Sequence, residues 1–169
     1  DRYFATLEAL PSASLSVTTA YFRAKYLYNR AVPVDDILNA PPEAAFRGVD
    51  QARLEQARKG FIAIPSGTQF TLRSKYFVGT IHTLRGEYLD AIAAFYGVLG
   101  HQTEVEEEKP VIELTYMALG RLYYETEQLE QAVEAYRAVP QTSPHFDHAL
   151  YELAWTYIRM GDAIQAERA

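Results

Sequence analysis

The sequence predicts an all-α fold of stacked helix pairs, and three observations carry that prediction. Landmark residues recur at a shift of 34: Leu119/Leu153, Gly120/Ala154, Tyr123/Tyr157 and Ala132/Ala166. A small residue stands twelve places before a second small residue three times over, as Gly79/Ala91, Gly120/Ala132 and Ala154/Ala166. An aromatic follows the second small residue by four, as Phe95 and Tyr136. A fixed period of this length is the signature of a repeat array, in which no single unit can bury its own apolar face.

Each landmark has a physical role. Gly79, Gly120 and Ala154 are expected to be nearly buried where the first helix of a pair (helix A) meets the second (helix B) at close range. Ala91, Ala132 and Ala166 do the same from helix B, and the aromatic one turn later is expected to wedge against the next repeat. Ala57, Phe61 and Ile64 precede Ala91, Phe95 and Val98 by 34 each, so the pattern runs backwards as well. Further back, Thr18–Ala31 aligns with Arg73–Gly86, placing Tyr21, Phe22 and Ala24 opposite Tyr76, Phe77 and Gly79 at a separation of 55. That is one period plus 21 residues. The first repeat therefore has helix A at about Val17–Ala31 and helix B at about Asp50–Ile64, with an insertion over 32–49 between them. Pro33 and the pair Pro41-Pro42 forbid one continuous helix there. The insertion reads either as a passive segment packed on its own repeat or as a mobile or functional loop over one mouth of the array.

A shorter insertion separates Gly79 from Gly120 by 41 residues. Gly100 can end a helix and Pro110 can open the next in its first turn. The acidic run Glu104–Glu108 between them reads as a solvated loop or, alternatively, as a contact for a basic partner. The organisation is then one array. It comprises an orphan helix B over 1–11, repeat 1 over 17–71, repeat 2 with its acidic loop over 72–112, repeat 3 over 113–146, and a truncated repeat 4 over 147–169. The chain begins at Asp1 and stops inside an apparent helix, so it is expected to be a piece of a larger protein.

Composition excludes several function classes. The 169 residues are 49% apolar and 22% charged, the composition of a folded chain. A net charge of −6 provides no bulk basic footprint for nucleic acid. No run reaches the apolar length of a membrane-spanning helix, and the absence of cysteine excludes disulfides and zinc–thiolate sites. There is no glycine-rich phosphate loop and no nucleophile elbow. His145, His148 and Glu152 fall at helical spacing, but His145 lies at a Ser143-Pro144 helix start, where exposed polar residues are ordinary. No carboxylate pair is set apart by an apolar environment. The expectation is no catalytic residue, no metal and no cofactor.

The pattern resembles the tetratricopeptide repeat (TPR), over roughly Leu72–Ala169 and partially before that. Gly86 and Gly161 keep the family's turn glycine, whereas Glu127 replaces it, so a looser turn is expected there. The resemblance implies a right-handed superhelical solenoid of antiparallel helix pairs whose helix A faces line a concave surface. Three rows on helix A then line the groove. Lys25, Thr80, Arg121 and Trp155 form one row, Tyr21, Tyr76, Met117 and Tyr151 the second, and Tyr28, Thr83, Tyr124 and Ile158 the third. The aromatic, Met and Arg content is that of interface hot spots, although the same rings can instead seal one helix A against the next. Lys25, Asn29 and Arg121 are too dispersed to form the carboxylate clamp some family members use. The expected function is a protein-interaction scaffold that takes a peptide or helix segment in an aromatic-lined groove. The alternatives are a regulatory or substrate-recruiting domain of a larger enzyme, or a self-association module. The Ala149–Asp162 stretch is similar to repeats of bacterial envelope proteins, which implies a periplasmic or envelope-associated location.

Overall fold

A computed structural model describes residues 16–32, 48–101 and 106–168. The expected orphan helix over 1–11, most of the insertion over 32–49 and the middle of the acidic loop lie outside the described residues. Among those described there are eight α-helices, one 3-10 turn at Glu106–Glu108, and no strand. The helices are α1 (Val17–Ala31), α2 (Gln51–Ile62), α3 (Thr71–Leu84), α4 (Tyr88–Leu99), α5 (Lys109–Glu125), α6 (Leu129–Arg137), α7 (Phe146–Met160) and α8 (Ala163–Arg168). They fall into two compact units, 1–87 and 88–169.

In the first unit, α1 begins where the Ser16 hydroxyl accepts the Thr19 amide, and α2 where the Asp50 carboxylate accepts that of Arg53 at 2.9 Å. The Asp50 amide donates directly to the Ala31 carbonyl at 2.9 Å. The end of α1 and the start of α2 are therefore pinned together. The pair closes tightly because its facing residues are small. A Cβ added at Gly60 would lie 2.9 Å from that of Ala24. Around this contact Leu27, Leu54, Ala57 and Phe61 are buried. An aromatic stack continues the core: Tyr21 lies on Phe70 at 4.4 Å between centroids, and Phe61 on Phe77 at 4.7 Å. A polar network ties α2 to the end of α3. Glu55 accepts two bonds from Arg58, both at 2.8 Å, and one from Arg85 at 2.9 Å, while Arg85 also donates to Glu87 at 2.7 Å. The Arg58 hydrogen bonds, with the charges of Arg58, Arg85 and Lys59, outweigh partial burial and hold the Glu55 carboxyl at about 2.

In the second unit, Pro110 lies in the first turn of α5, where its missing N–H costs nothing. Helix α5 packs against α4 and α6, and α7 against α6 and α8. The closest approach is at Gly120. A Cβ there would fall within 2.6 Å of Cδ1 and Cζ of the Tyr136 ring, so α6 reaches α5 only because position 120 has no side chain. Gly79 and Gly120 are buried as expected, but Ala154 is only partly so, because its partner α8 is a six-residue helix.

The turn at Glu127 departs from expectation in the opposite sense: it is not looser. Glu127 adopts a left-handed φ of 61°, beside 73° at Gly86 and 80° at Gly161. All three turns close with the same pair of bonds. The residue after the left-handed one donates five back, as Glu87 to His82, Gln128 to Tyr123 and Asp162 to Tyr157, at 2.8–2.9 Å. The left-handed residue itself donates three back, to Thr83, Tyr124 and Ile158. This is the Schellman closure of a helix C-terminus, and its hydrogen bonds impose the conformation even on a residue that disfavours it.

Three outcomes follow from this packing. Glu127→Gly should stabilise the chain by on the order of 0.5–1 kcal/mol, because relief of left-handed strain exceeds the loss of one exposed ion pair to Arg159; a denaturant midpoint that does not rise would contradict it. Gly120→Leu should destabilise by roughly 1–3 kcal/mol through overpacking against Tyr136, read as a lowered melting temperature. The third outcome concerns acid. Since the folded-state pKa of Glu55 is depressed, its contribution to stability is complete above the ordinary carboxylate value and is lost as pH falls toward about 2. Glu55→Gln should therefore lower the melting temperature at neutral pH, and the difference from the parent should vanish in acid titration near pH 2.

Candidate functional site

The structure separates the twelve expected groove residues into packing residues and surface residues. Two are corrected outright. Tyr21 is 3% exposed, sealed by Phe70 and Phe61, so its row position faces the core of the first unit. Met117 is 4% exposed, on the central helix of the second unit with α4 and α6 packed against it. Neither is available to a partner. In the first unit Lys25, Tyr28, Tyr76 and Thr80 are all partly buried. Tyr28 packs edge-on against Phe77 at 5.1 Å, and burial, with the nearby Tyr76 phenol adding to it, pushes its own phenol up to about 12. The Thr80 hydroxyl is spent on the Tyr76 carbonyl at 3.0 Å.

In the second unit Arg121, Tyr124 and Trp155 come together around one cavity of about 240 Å³, together with Glu125, Tyr136 and Glu152. Trp155 is 49% exposed and Tyr151 62% exposed, and the two rings meet edge to face at 6.2 Å. Ile158, 52% exposed, continues the row, so positions 151, 155 and 158 form one solvent-facing apolar stripe at the i, i+4, i+7 spacing of a single helix face. A larger cavity, about 370 Å³, opens between α1 and α2 and is lined by none of the expected groove residues.

A hydrogen-bonded network forms the wall of the smaller cavity. Arg121 Nε donates to both carboxylate oxygens of Glu152, at 2.8 and 3.0 Å, and its Nη2 to Oε1. The buried Tyr136 hydroxyl donates to Glu152 Oε2 at 2.7 Å. Burial first, and then this donation to a carboxylate, push the Tyr136 phenol well above its ordinary range, so it stays a neutral donor. Arg159 lies over the Tyr124 ring at 4.6 Å, donates to the Tyr124 carbonyl at 3.1 Å and pairs with Glu127. The rings and guanidinium groups of the site are thus held in place by their neighbours.

Tyr136, Glu152 and Glu125 were not among the expected groove residues. Tyr136 was expected as a wedge toward the next repeat; its ring fills the Gly120 gap and its hydroxyl reaches Glu152 of α7. Glu152 and Glu125 belong to none of the three rows. No periodic signal marks them, because their place is set by which helix lies opposite.

Comparison with known proteins gives a partial match in sequence and a nearly complete one in fold. Residues 115–140, which span the close approach at Gly120, match the family model of the tetratricopeptide repeat. No match is found among curated proteins. Among solved structures the chain is similar to one described as the crystal structure of MamA, with a TM-score of 0.61 at 19% identity, covering 98% of this chain and 79% of that one. The chain is therefore an all-helical protein of TPR-like fold, with one stretch that carries the repeat's own sequence pattern.

Proposed function

We propose that this chain is a non-enzymatic interaction scaffold that holds a segment of another protein on the exposed face of α7 and the cavity beside it. The observation that carries this reading is the Tyr151–Trp155–Ile158 stripe. Three large apolar side chains on one helix face are each about half exposed or more, next to a cavity walled by fixed polar groups. Scattered exposed hydrophobics need no explanation, but a contiguous stripe beside a concavity is the usual form of an interaction site. Aromatic rings provide large contact area with few rotatable bonds, so ordering them on binding costs little. The cavity is small for a drug-sized ligand but suited to one side chain of a polypeptide. No described helix is long and apolar enough to cross a membrane.

The proposal narrows the groove to Arg121, Tyr124, Tyr151 and Trp155, leaving Tyr21 and Met117 to packing. Trp155→Ala should weaken capture of the partner from a native extract by on the order of 2 kcal/mol or more, read as a shifted half-maximal concentration in a titrated pull-down. The same variant should keep the parent's melting temperature. Loss of the fold on replacing Trp155 would instead make it a packing residue and end this reading.

A further inference from the structure

The partner's chemistry is legible in the charges around the stripe. Residues 88–169 carry fourteen acidic against five basic side chains, a net −9, whereas residues 1–87 carry eight acidic against eleven basic, a net +3. The acidity of the whole chain thus belongs to the unit that holds the stripe. Inside the cavity the lining has one guanidinium, Arg121, against two carboxylates, Glu125 and Glu152. Arg121 and Glu152 neutralise each other through their paired bonds, and Glu152 also accepts from Tyr136. Arg159, the other cation nearby, is engaged by Glu127, the Tyr124 carbonyl and the Tyr124 ring.

That leaves Glu125. It is exposed, lines the cavity and has no cationic partner among the described residues. It is also the last residue of α5, at the negative end of the helix dipole, and the last turn of that helix carries no basic residue. A carboxylate there is locally unfavourable, and an arriving cation would relieve it. Beside it stands the indole of Trp155, the ring type that best accepts a cation on its face.

Resting on the interaction site proposed above, we propose that this cavity is a receptor for a lysine or arginine side chain of a basic, apolar-flanked polypeptide segment. The aliphatic stem enters along the apolar stripe, the charge sits between the face of Trp155 and Glu125, and the segment's apolar side chains cover Tyr151 and Ile158. Long cationic side chains suit this division, since their stems are apolar and only their tips need solvation or a counter-charge.

Trp155 is the only tryptophan of the chain, so its emission reports on this cavity alone. The test titrates the 169-residue chain with three short capped peptides that share a leucine framework and carry lysine, glutamine or glutamate at the remaining positions. The lysine peptide should bind about tenfold tighter than the glutamine peptide, from a cation–π contact added to an ion pair. Glu125→Gln should remove most of that preference, read as the ratio of the lysine-peptide to the glutamine-peptide affinity. Glu130→Gln, at an exposed carboxylate of α6 outside the cavity lining, should preserve it. Tighter binding of the glutamate peptide, an unaltered preference in Glu125→Gln, or an equal loss in Glu130→Gln would each overturn the basic-segment proposal. So would a Trp155 shift with chain concentration alone, which would assign the face to a second copy. If emission ignores all three peptides and chain concentration alike, the interaction site itself falls, and the charge proposal with it.

Discussion

The second unit depends on the absence of one side chain. At Gly120 the α5 backbone is bare, and the Tyr136 ring occupies the space a Cβ would take. The consequence extends well past the contact. With its ring seated there, the Tyr136 hydroxyl reaches across to Glu152 of α7, and Glu152 in turn fixes Arg121 of α5. One close approach thus fastens three helices. It also positions the polar wall of the cavity, since Tyr136, Glu152 and Arg121 all line it. Packing and the wall of the proposed interaction site share the same atoms in this unit.

The first unit solves the same problem with different chemistry. Its small-residue contact, Ala24 on Gly60, brings α1 and α2 together, but rings stacked face to face fill the space beyond it. Tyr21 and Tyr28 go into that filling. The tyrosine content of the chain therefore has two uses that depend on neighbours. Where another ring lies opposite, tyrosine is core; on α7, where no described residue covers the face, Tyr151 stays in solvent.

The turns show how far the repeat tolerates local disagreement. Glu127 takes a backbone conformation that its side chain disfavours, yet closes its helix with the same two bonds that Gly86 and Gly161 make. The geometry is dictated by the need to bring helix B back along helix A, and residue preference yields to it.

What the sequence by itself determined was the helical class, the 34-residue recurrence and the burial of the small landmarks Gly79, Ala91, Gly120 and Ala132, because these depend on spacing along one chain. Gly120 and Ala132 are buried where the recurrence puts them, and Trp155 is exposed where its equivalents Lys25, Thr80 and Arg121 suggested a surface slot. What only the tertiary structure decided was which members of a row face solvent. Tyr21, Met117 and Tyr151 are equivalent by spacing, but two are buried and one is open, because burial depends on what lies across from a residue and not on its own position. The roles of Glu152, Tyr136 and Glu125 were hidden for the same reason. A hydrogen bond between residues 16 or 31 apart, as Tyr136 and Arg121 each make to Glu152, exists only once the helices have packed.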